Sequence, residues 1–313
     1  MIYPDLTLME IMRRFSTEEA ARAYFERVRW PNGPVCPHCG SCEKIYARSA
    51  NAKTGTRPGL YKCGECTDTF TVTVGTVMEA SKIPLNKWLI AFYMMCASKT
   101  QVSALQLQRQ LELGSYRTAL FLCHRIRFAL KDANPAGLLT GEVEADETYI
   151  GGKAKGKGRG YTGNKIAVVS LVQRGGDVRS TVAERVNGKT ISTLLKHHVS
   201  EEAHLNTDES PLYTKAGKDF ASHSTVNHSA DEYGYYDYRS GRNVTTNTVE
   251  GFFGNSKRSL DGAHHQVSRQ DLHLYTAGFW AGFWAGFWAA FWPALGWTVV
   301  VAVVWSLAEA LPG

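Results

Sequence analysis

The opening stretch MIYPDLTLMEIMRRF lacks the long apolar core of a secretory leader, so neither export nor an oxidised disulfide framework is expected. No P-loop occurs anywhere, consistent with chemistry that requires no ATP. Tryptophan is nearly missing from the first 275 residues, where Trp30 and Trp88 stand alone, yet the chain holds eight. The other six (Trp280, Trp284, Trp288, Trp292, Trp297 and Trp305) crowd the last 38 residues. Charge vanishes over the same end, with no Lys, Arg, Asp or Glu from Leu272 to Ala308. A single averaged composition therefore describes neither part. The 313 residues exclude a peptide hormone or a disulfide-stapled mini-domain and allow two or three small domains. The net charge of +6 leans toward a polyanionic partner and says no more than that.

Five of the seven cysteines lie between Cys36 and Cys66. Cys36-Pro-His-Cys39-Gly and Cys63-Gly-Glu-Cys66 are two Cys-x2-Cys pairs separated by 23 residues, and each can wrap two thiolates around one side of a tetrahedral Zn2+. Cys36, Cys39, Cys63 and Cys66 are the expected ligands of a structural zinc ribbon, with Cys42 and His38 as possible substitutes. A closed four-ligand site leaves no open position for catalysis, so this zinc folds a module. Cys96 and Cys123 sit on apolar helix faces and are expected in the core.

Residues 16–30 predict a helix with Ser16 or Thr17 as N-cap, ending before Pro31. Residues 34–75 read as short strands and tight turns. From Pro84 the pattern becomes helical: NKWLIAFYMMCAS, SALQLQRQLEL, a break at Gly114, then SYRTALFLCHRIRFALKDA. Lys82, Lys87, Lys99, Arg109, Arg117, Arg125, Arg127 and Lys131 face only Glu112 and Asp132 there. Two readings stand: a helix-turn-helix whose recognition helix starts at Ser115 to Thr118, with Arg117 and Arg125 on phosphate, or a helical bundle with a solvated basic face. Lys153, Lys155 and Lys157, in GGKAKGKGRGYTGNK, form either a flexible phosphate clamp or a solvated hairpin loop.

After Gly137 the period changes to strands at 142–150, 165–173 and 178–186, then a helix in KTISTLLKHHVSEEA and a strand at His204 to Thr207. That order opens a ribonuclease H-like α/β domain. Residues 213–245 show no clear period and are expected to be loops around one short element, before TNTVEGFFGNSKRSL resumes as helix. On the first strand Glu142, Glu144 and Asp146 share one face and Glu147 the other, gathering acidic density at the strand's end. Asp146, Asp208 and Glu250 lie on three separate elements and could converge on two Mg2+ ions; as isolated acids they could equally be solvated surface. Lys257 lies about two turns beyond Glu250 on the same helix face.

The CPHCG and CGEC ribbon, SALQLQRQLELGSYRTALFLCHRIRFAL, ADETYIGGK, NTDES, NHSADEY and NTVEGFFGNSKRSLDGAHHQVS together resemble the ISXO2-like group of IS1595 family transposases, over roughly residues 10–275. The resemblance implies an N-terminal zinc ribbon, a helical DNA-binding segment and a ribonuclease H-like (DDE transposase) catalytic domain. It places Mg2+ or Mn2+, two ions, on Asp146, Asp208 and Glu250, with Lys257 as the basic residue of the same helix. It also gives His228 and His265 DNA-contact or support roles. The implied partners are the terminal inverted repeats of an insertion element and target DNA, bound by a homo-oligomer in the cytoplasm at the nucleoid. The implied reaction is hydrolysis at the element's end to free a 3′-OH, followed by direct transesterification into target DNA. The alternative is a decayed, inactive copy or a zinc-ribbon DNA-binding protein.

The expected organisation is an N-terminal helix (1–30), a zinc ribbon (31–80), a helical DNA-binding segment (81–136), a catalytic domain (137–275) and an atypical apolar tail (276–313). The tail begins AGFW, AGFW, AGFW, AAFW, where similar proteins continue with a charged EFxFRYNxR-like helix. Its length and apolarity permit a membrane helix, with Gly278, Gly282, Gly286 and Ala290 in a small-residue stripe. A tandem repeat starting where the family pattern stops reads instead as a frameshift or repeat expansion, and a membrane partner is not expected.

Overall fold

The computed structural model describes residues 7–98, 101–132, 137–151, 163, 165–264 and 267–276. Lys153, Lys155, Lys157, His265 and the AGFW-repeat tail from Ala277 onward lie outside the described residues. The chain divides into two compact units that part between residues 133 and 134.

The first unit opens with two helices. In α1 (Leu8–Arg14), Thr7 accepts from the Glu10 N–H and Glu10 answers on the Thr7 N–H, a capping box. In α2 (Glu18–Arg29), Thr17 is the N-cap, accepting from the Ala20 N–H at 3.2 Å. The ribbon follows as a three-stranded antiparallel sheet of β1 (Ile45–Arg48), β2 (Leu60–Cys63) and β3 (Thr69–Phe70). So small a sheet cannot bury a core of its own. Trp30 at the end of α2 meets Tyr61 and Phe70 edge-on at 5.5 and 5.7 Å, and those two rings stack at 5.6 Å. Arg29 Nη1 donates to the Val72 and Val74 carbonyls, both at 2.7 Å, tying α2 to the ribbon's end. Three helices complete the unit: α3 (Leu85–Ala97), α4 (Ala104–Gln110) and α5 (Tyr116–Asp132). Trp88, Phe92 and Met95 of α3 and Leu122, Ile126 and Ala129 of α5 are buried, as are Cys96 and Cys123.

The second unit is a mixed five-stranded sheet in the order β6-β5-β4-β7-β8. The strands β4 (Glu142–Ile150), β5 (Ile166–Gln173) and β6 (Val178–Ala183) pair antiparallel, whereas β7 (His204–Asp208) and β8 (Ser222–Val226) run parallel to β4. Helix α6 (Gly188–His198), capped by the Asn187 side chain on the Thr190 N–H at 2.9 Å, supplies the right of passage from β6 back to β7. One face of the sheet, with Val143, Ala145, Val169, Leu171 and Leu205, buries Ile191 and Leu195 of α6. The other packs against α7 (Asn247–Ser259), which contributes Val249, Phe252 and Phe253. Coverage on both faces explains why β5 reads IAVVSLVQ, nearly continuous rather than alternating.

The segment 213–245, expected to be mostly loops, carries β8 and a hairpin of β9 (Gly234–Asp237) and β10 (Arg242–Thr245). These strands are four or five residues long, β9 largely exposed and β8 and β10 mostly half-buried, so no clear alternation marks them in the sequence. Among the described residues no helix is long and apolar enough to cross a membrane.

Candidate active site and metal centre

Cys36, Cys39, Cys63 and Cys66 converge so that their sulfurs all lie within 4.8 Å of one another. The Cys36–Cys66 and Cys39–Cys63 separations are both 3.6 Å, near the ~3.8 Å edge of a tetrahedron with Zn–S bonds of about 2.3 Å. The four thiols thus fit a structural zinc ion, and Cys42 and His38 remain exposed outside the set.

The helical segment uses several of its cations internally. Arg125 Nη1 donates to the Val77 and Glu79 carbonyls at 3.0 and 2.7 Å, and its guanidinium covers the Phe121 ring at 4.5 Å. Arg127 is buried, with Nε and Nη2 on the Gln101 side-chain oxygen, both at 3.3 Å. Lys87 donates to the Glu112 carbonyl in the turn between α4 and α5. That turn bends through Glu112 at φ 49°, and Ser115 then caps α5 by accepting from the Thr118 N–H at 3.1 Å. Tyr116 and Arg117 stand exposed at this helix start. Of the two arginines expected to contact phosphate here, Arg117 is presented and Arg125 is engaged within the fold.

In the second unit β4 and β7 are parallel neighbours, with Glu144 opposite Asn206. Two residues further along each strand stand Asp146 and Asp208. Burial first, then the charges of Glu147, Asp208 and Glu250, push Asp146 up to about 7, against a hydrogen bond from the Glu147 N–H at 2.7 Å. Asp146 is therefore within electrostatic reach of both Asp208 and Glu250, although among the described residues the four cysteines alone bring three or more ligand atoms within 4.8 Å of one another. Asp146 and Asp208 are half-buried and Glu250 is exposed, and all three are carboxylates, the donor type a hard divalent cation takes. Glu147 points to the opposite face, where it accepts from the Tyr213 hydroxyl at 2.6 Å; burial raises both groups.

The acidic density expected from Glu142 and Glu144 is neutralised within the fold. Glu144 is fully buried and accepts from the Thr248 N–H at 2.8 Å, the Thr248 hydroxyl at 2.9 Å, the Val249 N–H at 3.0 Å and Arg174 Nε at 2.7 Å. It thus acts as a remote cap on α7, satisfying donors that a helix start leaves open. Glu142 accepts from the Asn206 amide at 2.8 Å and lies 3.5 Å from both Arg174 and Arg242.

A second link joins the other two acids. Glu209, next to Asp208, accepts from the His228 N–H at 3.0 Å, the Ser229 N–H at 3.2 Å and the Ser229 hydroxyl. The Ser229 hydroxyl leads the hydrogen bonds that hold Glu209 down to about 2. His228 Nε2 then lies 3.2 Å from Glu250 Oε1 and 3.1 Å from Thr246 Oγ1, which itself donates to Glu250 at 2.8 Å. Lys257 is exposed on α7 seven residues beyond Glu250. Sequence reasoning missed Glu144 as a cap, and Glu209 and Thr246 altogether. The only signal for them is polar residues beside the expected acids.

A family model described as "ISXO2-like transposase domain" matches residues 138–280, and one described as "Transposase zinc-ribbon domain" matches residues 16–69. The chain is 30% identical over 285 residues to the "Uncharacterized protein in transposable element ISH50" of Halobacterium salinarum, covering 86% of this chain and 91% of that relative. A solved assembly, the simian T-cell lymphotropic virus intasome in complex with PP2A regulatory subunit B56 gamma, matches at 16% identity over 62% of this chain and 65% of its own. Its TM-score of 0.29 is too slight a likeness to bear on fold or function.

Proposed function

This chain belongs to the ISXO2-like transposases of the IS1595 family, and from that membership we propose that it cleaves DNA at the ends of an insertion element and joins the freed 3′-OH to target DNA. The observation that carries the reading is Asp146, half-buried two residues beyond the last β4–β7 pair and under the charges of Asp208 and Glu250. Two divalent ions, Mg2+ or Mn2+, held by Asp146, Asp208 and Glu250 would supply Lewis-acid stabilisation of charge building on the attacked phosphate. Glu144 fixes the helix that presents Glu250, and His228 with Thr246 orients the Glu250 carboxylate. Lys257 extends the same helix face toward the DNA backbone. Hydrolysis at the element's end and transesterification into the target share this one site, and neither step needs a covalent enzyme intermediate.

The zinc ribbon and the helical segment bind the element's terminal repeats, with Arg117 on phosphate and Lys153, Lys155 and Lys157 as a second phosphate contact. Arg125 supports that surface by anchoring α5 to the ribbon's end rather than by leading the contact. The protein works as a homo-oligomer on DNA, in the cytoplasm at the nucleoid. One feature favours a second reading, a decayed copy that binds without cutting: the uncharged repeat from Ala277 onward in place of a charged helix.

Incubating the full chain with Mg2+ and DNA bearing the flanking inverted repeats tests the proposal. Nicking at the repeat boundary, absent in Asp146→Ala, is the expected result, and undiminished cleavage by that variant overturns it. Specific binding without cleavage under either Mg2+ or Mn2+ selects the second reading.

A further inference from the structure

The hairpin of β9 and β10 displays aromatic rings that the fold does not use. Tyr233, Tyr236 and Tyr238 are 61%, 48% and 89% exposed. The hairpin's inner face is set by Val244, buried opposite Tyr235, and by Arg242, which reaches Ser222 at 3.1 Å. Tyr236, opposite Asn243, therefore lies on the outer face, where its ring meets Tyr238 edge-on at 5.0 Å. The turn behind Tyr238 is stiff: Asp237 accepts from the Arg239 N–H and the Ser240 hydroxyl, and Gly241 takes φ 70°. Rings held out beside a hydrogen-bonded turn, about half or more of their surface in water, mark an interaction site.

The hairpin is continuous with the acidic site. Tyr233 lies 5.8 Å, ring to ring, from His228, whose Nε2 is 3.2 Å from Glu250. Strand β10 leads directly through Thr246 into α7. The hairpin carries Asp231, Glu232 and Asp237 against Arg239 and Arg242, so it offers phosphates no excess of cations. What it offers is flat π surface, and in a duplex the faces of the bases are already stacked away.

Resting on the function proposed above, we propose that Tyr236 and Tyr238 form a stacking platform for unpaired nucleotides of the DNA strand that enters the acidic site. Every base has a π face, so such a platform tolerates any sequence and adds little salt dependence.

The test is anisotropy of the full chain on one mixed-sequence oligonucleotide, presented as a single strand and as a duplex, over a salt series. In the double variant Tyr236→Ala and Tyr238→Ala, single-strand affinity falls roughly tenfold for each ring removed. Duplex affinity and the salt slope stay as in the wild type, and Tyr236→Trp with Tyr238→Trp restores single-strand binding. An unchanged single-strand affinity overturns the platform, as does an equal loss on both DNA forms. A change of mass by light scattering on substitution also overturns it, making the hairpin a contact between copies of the chain. Wild-type protein that binds neither DNA form defeats the proposed function itself, whereas duplex binding with indifferent tyrosines defeats the platform alone.

Discussion

Glu144 accepts from the Val249 N–H at 3.0 Å, so the strand that carries Asp146 holds the first turn of the helix that carries Glu250. The same carboxylate takes the Thr248 N–H and hydroxyl, and Arg174 closes its remaining side while donating to the Asn243 and Thr245 carbonyls of β10. One buried charge thereby joins three elements of the second unit.

Glu144→Gln tests that junction. An amide retains one accepting oxygen but turns its NH2 toward donors or leaves Arg174 without its partner, a loss of about 3 kcal/mol for a broken buried ion pair. Urea denaturation should show that loss, and DNA cleavage should fall with it because Glu250 loses its reference to Asp146. A variant as stable as the wild type contradicts the capping role.

Zinc content discriminates between the five clustered cysteines. Cys63→Ser should lower bound zinc below one per chain and unfold the ribbon, whereas Cys42→Ser should keep a full equivalent, because Cys42 stands outside the tetrahedral set. Elemental analysis with a thermal melt reads both. Zinc loss in Cys42→Ser contradicts the assignment.

His223 gives stability a pH dependence. Its Nε2 lies 2.9 Å from the Thr207 hydroxyl, and burial holds it below its ordinary 6.5. Between the folded value and about 6.5 the unfolded chain binds more protons, so stability rises with pH in that window, is complete above it and is lost on acidification. His223→Gln should flatten the slope of unfolding free energy between about pH 5 and 7. A residual slope remains, from His198, lowered by burial first and then by His197 and Arg179, and in the opposite sense from Asp146 and Glu147, whose carboxyls burial raises. An unaltered slope contradicts the assignment to His223.

The first three strands of the second unit were legible because they alternate or run apolar for six to nine residues, and α6 because it keeps a helical period. The zinc ligands were legible because metal geometry forces a short, fixed spacing within each pair. The remainder depends on contacts that no local window contains. Glu144 meets Thr248 across 104 residues, and Arg125 meets Val77 across 48 and Glu79 across 46. An acid or arginine with such a distant partner looks, in sequence, the same as a solvated one. The hairpin was hidden for a different reason: β9 is exposed on three of its four positions and β10 buries Val244 alone, too little to impose a readable alternation.

The central claim is that Asp146, Asp208 and Glu250 act as one metal-dependent site. The most direct measurement is the Mg2+-dependent release of a 3′-OH end from DNA bearing the element's terminal repeats, by the wild type and by Asp146→Asn, Asp208→Asn and Glu250→Gln in parallel. The account predicts that each substitution abolishes release while duplex binding persists. Release at the wild-type rate by any one of the three contradicts it.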